Sequence, residues 1–220
     1  MRAIFKNLCP NCNGDIDDDR AFAGLLCRQC LPVEHTIDSN LQTLPVKPSR
    51  SYIELISMNK QLDKFASFFE KATDSQPWAA QRVWARRIFS GKSFALIAPT
   101  GMGKTVFGSI MALFLACERN KKSYILIPTA LLAKQVSERI LKYSERTGLN
   151  VRIAYYHSLL TRREANSQLE RIKNGDYDIL VTTLNFLNMR FNLLENIKFD
   201  FIFVDDVDSL LRASRNIDKV

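Results

Sequence analysis

The chain has 220 residues, 46% hydrophobic and 25% charged, a balance that excludes wholesale disorder and is enough for a sizeable buried core. Its formal net charge of +8 favours a polyanionic partner such as nucleic acid, although an uneven surface with no partner would give the same number. No run approaches the roughly 20 apolar residues of a membrane helix, and Met1–Lys6 lacks the apolar core of a signal peptide. A cytoplasmic protein without membrane partners is expected, whose cysteines are metal ligands or buried thiols.

In chain order, residues 1–35 carry the pairs Cys9-x2-Cys12 and Cys27-x2-Cys30, separated by fourteen residues. Each short turn presents two thiolates to one ion, and two turns complete a tetrahedron, so a small zinc ribbon is expected. A redox pair is disfavoured by having two matched pairs; an iron–sulfur site is the other alternative. Such a segment is too small for a core of its own, and Zn2+ would organise it. Arg20, Arg28 and Lys6 either touch DNA phosphates or belong to a structural clip. Residues 36–51, with Pro45 and Pro48, read as a linker, and His35 as linker surface.

Residues 52–220 read as one α/β lobe. Ile53, Ile56, Leu62, Phe65, Phe68 and Phe69 fall at helical spacing over 52–71, and a second helix is expected over Ala79–Phe89. Alternation then begins: strand Ser93–Ala98, helix Lys104–Glu118, strand Ser123–Ile127, helix Ala130–Arg146, strand Val151–Tyr155, helix Arg162–Lys173 and strand Asp178–Thr182. A mixed helical turn over Asn185–Leu194 and a strand over Phe199–Val204 follow. Short apolar strands alternating with helices imply a parallel sheet covered on both faces.

Ala98-Pro99-Thr100-Gly101-Met102-Gly103-Lys104-Thr105 joins an expected strand to a helix, the context of a phosphate-binding Walker A turn with alanine in the first glycine position. Small residues let the turn from Pro99 to Gly103 curl its available backbone N–H groups round a phosphate at a helix N-terminus. Lys104 would reach the β- and γ-phosphates of ATP, and the Thr105 hydroxyl would hold Mg2+. The bland alternative is a tight glycine turn. About a hundred residues later, Val204-Asp205-Asp206-Val207-Asp208 ends an apolar strand. Asp205 there would hold the same magnesium ion, with Asp206 orienting the attacking water; alternatively the acids only favour the start of a helix.

These motifs resemble those of the superfamily-two helicases, whose first lobe is a RecA-like P-loop NTPase fold. The resemblance implies that Gln81, in Pro77-Trp78-Ala79-Ala80-Gln81-Arg82, reads adenine. It also implies that Thr129 and Lys134, in Pro128–Gln135, and Thr183, in Thr182-Thr183-Leu184, contact the DNA backbone. More narrowly, the cysteine-rich start, WAAQRVWARRIFSGKSFALIAPTGMGKT and FVDDVDSLLRASRNIDKV resemble the reverse gyrase family of extreme thermophiles. That family joins a helicase-like module to a type IA topoisomerase and introduces positive supercoils with ATP. The resemblance covers essentially the whole chain. Asp206 stands where helicases in general have glutamate, a departure that the reverse gyrases share. On this reading the second RecA-like lobe and the topoisomerase domain belong to the same polypeptide beyond Val220. The segment alone would then hydrolyse ATP poorly and pass no strands. A DNA or RNA helicase with a zinc appendage and a non-enzymatic binding module with a vestigial phosphate loop are the competing assignments.

Cys117 is expected as a buried thiol and His157 as an ordinary loop residue. Arg162-Arg163 could face DNA or solvent, and Trp78 and Trp84 are expected to pack their helix on the lobe.

Overall fold

The structure, a computed structural model, describes residues 3–32, 46–99 and 101–207. Thr100, His35, Asp208 and most of the expected linker lie outside the described residues. The chain divides into two compact units, Met1–Asp63 and Lys64–Val220.

In the first unit, β1 (Ile4–Phe5) pairs antiparallel with β2 (Ile16–Asp17), and α1 (Asp18–Phe22) follows directly. Its core consists of Ile16, Leu26 and Tyr52 with three of the cysteines, Cys9, Cys27 and Cys30. Tyr52 comes from α2 (Arg50–Thr73); the boundary between the units falls within this helix.

The second unit is built on a parallel sheet in the order β4-β5-β3-β6, with β3 Ser123–Ile127, β4 Ile153–Tyr156, β5 Ile179–Thr183 and β6 Phe201–Val204. Between the strands run α5 (Ala130–Thr147), α6 (Arg162–Lys173) and α7 (Leu184–Arg190); α3 (Ala79–Phe89) and α4 (Lys104–Arg119) precede them. Side chains alternate across the sheet. Tyr124, Leu126, Ala154 and Leu180 pack on one face with Ile172, Tyr177, Phe186 and Leu194. Ile125, Ile127, Ile179 and Val181 point the other way and are fully buried, on the side where α4 packs on β3 and α5 on β5. The expected parallel sheet with helices on both faces is borne out.

Helix α4 is buried without a break from Phe107 to Leu115, as expected of a helix enclosed on all sides. Phe65 of α2 sits edge-on to Phe107 and Phe114 of α4 and to Phe89 of α3, an arrangement favoured by the ring quadrupoles. Helix α4 lies against β6 at Gly108, where a Cβ would meet the Phe203 ring at 2.6 Å.

One expected strand is not formed as such. Residues 93–98 carry no strand ladder, although their exposure alternates as in a strand: Phe94, Leu96 and Ala98 are half-buried, while Ile97 is 98% exposed. An apolar run reads as strand from its composition, but a ladder also needs a neighbouring backbone. Among the described residues nothing pairs with this segment. No helix of the described residues is long and apolar enough to cross a membrane.

Candidate functional site

The four cysteines converge: the Sγ atoms of Cys9, Cys12, Cys27 and Cys30 all lie within 4.8 Å of one another, and those of Cys12 and Cys27 are 3.5 Å apart. A tetrahedron of thiolates around zinc, with bonds near 2.3 Å, has edges of about 3.8 Å, so the set fits the ion. Backbone N–H groups already point at the sulfurs, from Gly14 to Cys12 and from Cys27 to Cys9. The Asn11 side chain donates to Cys30 Sγ at 3.4 Å and accepts from the Ser49 backbone N–H at 2.6 Å. Asn11 was not singled out by sequence, since only the folded turn brings it to a sulfur.

Electrostatics also call for a cation. Burial and neighbouring thiols push Cys30 up to about 12, and burial pushes Cys27 up as well. Burial also works against the Cys9 thiolate, but the N–H groups of Cys12, Cys27 and Asn11 outweigh it and hold Cys9 down to about 6. Four thiols this close cannot all ionise on their own; a divalent cation removes the repulsion.

Of the two readings left open for Arg20, the structure favours the structural one over contact with DNA. Its side chain is 2% exposed, and one guanidinium nitrogen donates to the carbonyls of Leu26 (3.1 Å) and Leu31 (2.8 Å). Its place on the buried side of α1 withdraws it from any phosphate. Arg28 is ion-paired with Asp17 at 2.8 Å, and Lys6 is exposed. Residues 1–32 hold four basic residues (Arg2, Lys6, Arg20, Arg28) and four acidic ones (Asp15, Asp17, Asp18, Asp19), so they sum to zero. The chain's +8 therefore resides in the remainder.

In the second unit, the phosphate-type turn and the acidic strand end come together. Gly103 ends the turn at φ 69°, in the left-handed region, and α4 starts at Lys104. Lys104 Nζ donates to the carbonyls of Ala98 (2.6 Å) and Pro99 (3.0 Å), which draws the turn round its ammonium group. Gly101 is likewise left-handed, at φ 85°, and Met102 lies between the two glycines. Across a hundred residues of sequence, Thr105 Oγ1 donates to Asp205 Oδ2 at 2.7 Å. The close packing of Gly108 on Phe203 allows that contact, one turn further along α4. Two oxygen donors meeting at one point suit a hard cation such as magnesium. Asp206 follows at φ 55°, a left-handed conformation uncommon outside glycine that turns the chain sharply off the strand end.

Gln81 is buried against this turn: Oε1 accepts from the Trp78 backbone N–H at 3.0 Å, and Nε2 faces the Gly103 carbonyl at 3.4 Å. The glutamine thus touches the turn itself, a contact that no sequence spacing indicates. Trp84 packs on Phe107, as expected, whereas Trp78 is 57% exposed and does not pack as foreseen.

Two of the three expected backbone-contact residues, Thr129 and Thr183, lie on one rim of the sheet. β3 and β5 are in register, with Ile127 beside Thr183, so Thr129 and Thr183 follow or end adjacent parallel strands on the same edge as Asp205. Both threonines cap helices, Thr129 accepting from Leu132 N–H at the start of α5 and Thr183 from Phe186 N–H at the start of α7. Lys134 is exposed near Glu138, at 3.9 Å. The carboxyl edge of a parallel sheet is where α/β folds gather ligands. His157 is more enclosed than a loop residue: burial, with Lys134 nearby, holds its pKa below the usual value. Cys117 is half-buried, and burial pushes its thiol up to about 11, consistent with the inert thiol expected.

Sheet order, phosphate-type turn and acidic strand end are those of a RecA-like P-loop NTPase fold. The DEAD/DEAH box helicase family description matches residues 78–218, most of the chain, and the chain belongs to that family. Residues 1–46 match the reverse gyrase zinc finger. The chain is 43% identical over 229 residues to reverse gyrase of Pyrococcus horikoshii, covering 100% of the chain and 14% of that protein. It is 43% identical over 220 residues to reverse gyrase 1 of Aquifex aeolicus, covering 100% and 18%. It thus spans less than a fifth of either relative. A hypothetical ATP-dependent RNA helicase from Sulfolobus tokodaii shares the fold, with a TM-score of 0.52 and 20% identity over 71% of this chain and 44% of that one. The resemblance drawn from the motifs is borne out by these matches.

Proposed function

We propose that the chain is the amino-terminal part of a cytoplasmic, ATP-dependent type IA DNA topoisomerase of the reverse gyrase kind, and that this part holds zinc, ATP with magnesium, and DNA. The reading is carried by the 2.7 Å contact of Thr105 with Asp205, in a chain matched along its whole length by reverse gyrases.

Lys104 leaves the carbonyls of Ala98 and Pro99 to bind the β- and γ-phosphates, while the N–H groups of residues 100–103 and the start of α4 surround them. Thr105 and Asp205 would hold magnesium, which would supply neutralisation of charge on the phosphates. Asp206 orients and deprotonates the attacking water; being one methylene shorter than glutamate, it holds that water in a different geometry. Gln81 selects adenine and, through Gly103, feels the state of the turn. DNA runs along the rim of Thr129 and Thr183 and is met by Lys134 of α5, with the positive end of the α5 dipole toward a phosphate. The zinc module, which carries no excess of basic side chains, serves as a structural clip and not as a phosphate-binding surface.

A second lobe and a topoisomerase domain elsewhere in the same polypeptide would close on the nucleotide and couple hydrolysis to grip on DNA. The test uses the full-length protein with relaxed closed-circular plasmid, ATP and magnesium at high temperature, and resolves the topoisomers. Positive supercoils that vanish in Lys104→Ala are expected. Unchanged linking number with DNA-stimulated ATP hydrolysis would instead assign a superfamily-two DNA or RNA helicase with a zinc appendage.

A further inference from the structure

Arg20 is a buried charge without a buried opposite charge among side-chain carboxylates. It is 2% exposed. Its hydrogen bonds go to two neutral acceptors, the Leu26 and Leu31 carbonyls, and its Nε is buried with no hydrogen-bond partner. Of the aspartates around it on the sequence, Asp17 and Asp18 are half-buried and Asp19 is exposed. None of them forms an ion pair with Arg20 among the described residues. Removing a guanidinium from water is strongly unfavourable unless a negative charge offsets it.

The bonds Arg20 does make say where that charge lies. Leu26 immediately precedes Cys27, and Leu31 immediately follows Cys30. A single guanidinium nitrogen therefore ties together both ends of the second cysteine turn, two of whose residues are buried ligands of the converging set. A divalent ion held by four thiolates leaves the centre with a net charge of about −2. That is an anion at the heart of a segment whose side chains otherwise sum to zero. It is the counter-charge that Arg20 lacks.

We propose that Arg20 is the built-in counter-ion of the metal tetrathiolate: a positioning residue that touches no ligand sulfur in an assigned bond, but fixes the Cys27–Cys30 turn and offsets the excess negative charge of the loaded centre. The proposal rests on the reading of the four cysteines as a zinc site. Loading and burial of Arg20 are then one event. The loaded centre makes the buried cation favourable, and the cation makes a doubly negative centre favourable in a poorly solvated place. Neutral knuckle-clamping residues would supply the hydrogen bonds but not the charge.

The test measures zinc affinity of the full chain by competition with a chromophoric chelator. Cobalt substitution supplies a separate readout of tetrahedral thiolate coordination. Wild type is compared with Arg20→Lys, which keeps the charge, and Arg20→Gln, which keeps a donor without it. The expected result is a zinc affinity at least tenfold weaker in Arg20→Gln and within about threefold of wild type in Arg20→Lys. The same substitutions are repeated over Cys12→His, at the exposed ligand, where a neutral imidazole lowers the net charge of the centre to about −1. The Arg20→Gln penalty should shrink there, because the counter-ion has less to offset.

Wild-type affinity in Arg20→Gln, an equal loss in Lys and Gln variants, or an equal Gln penalty over Cys12→His would each overturn the proposal in favour of shape alone. If Arg20→Gln does not fold, the Lys variant decides: near-native affinity supports the charge and a large loss refutes it. Failure of wild type to bind zinc or give a cobalt–thiolate band would instead overturn the zinc reading beneath it.

Discussion

The two units fold around different things. Residues 3–32 have three of their own metal-binding cysteines in the core, accompanied by a few apolar side chains and a buried arginine. The lobe is centred on a helix buried continuously from Phe107 to Leu115 and on a sheet whose strands β3 and β5 are buried throughout. A small segment lacks the area to exclude water and relies on an ion; a longer one supplies its own apolar interior. The difference teaches that chemistry and stability are inseparable in the first unit and separable in the second, where Lys104 and Asp205 stand at a rim outside the core.

Removing the metal should break the comparison most sharply. Structural zinc sites contribute on the order of 10 kcal/mol or more to small domains, so Cys27→Ser or chelation should unfold residues 3–32. NMR of the full chain should show the loss of dispersed resonances there, while those of the lobe core, such as Ile125 and Val181, persist. Concerted loss of both sets would refute the separation.

Next in size is Gly108→Ala. The added methyl would lie 2.6 Å from the Phe203 ring, and overpacking of this kind costs about 1–3 kcal/mol. Chemical denaturation should show the lobe destabilised, with nucleotide binding weakened as well because Thr105 moves from Asp205. An unchanged midpoint would mean that β6 shifts freely.

Lys104→Ala should do the reverse, abolishing measurable binding of a fluorescent ATP analogue while shifting the thermal midpoint of the nucleotide-free protein by no more than a degree or two. A large stability loss would show that its bonds to Ala98 and Pro99 hold the turn together.

The smallest effect concerns pH. Burial raises the pKa of Asp178, but hydrogen bonds and charge from Arg152 outweigh that and hold it below the usual carboxylate range. A depressed folded pKa contributes stability above the unfolded value, near pH 4, which fades as pH falls through the lower folded value. The difference in thermal midpoint between wild type and Asp178→Asn should therefore be present at neutral pH and disappear in strong acid. A difference independent of pH would point to packing.

Sequence by itself determined the features that are local. A Cys-x2-Cys turn has only one compact way to present two sulfurs, and the apolar periodicity of α3, α5 and α6 placed those helices to within a residue or two. The run Gly103-Lys104-Thr105 likewise announced a helix start. Tertiary structure decided whatever depends on what lies opposite. A basic residue among aspartates reads as surface, yet Arg20 is inside; an apolar run reads as strand, yet 93–98 finds no ladder among the described residues. Thr129 and Thr183 turned out to cap helices, and Gln81 to rest on Gly103. Periodicity encodes which side of an element is apolar, but the partner of a buried charge or an unpaired backbone is chosen by residues far away in the chain. The clearest case is Thr105 with Asp205, brought within 2.7 Å by a glycine that lets a helix lie against a strand.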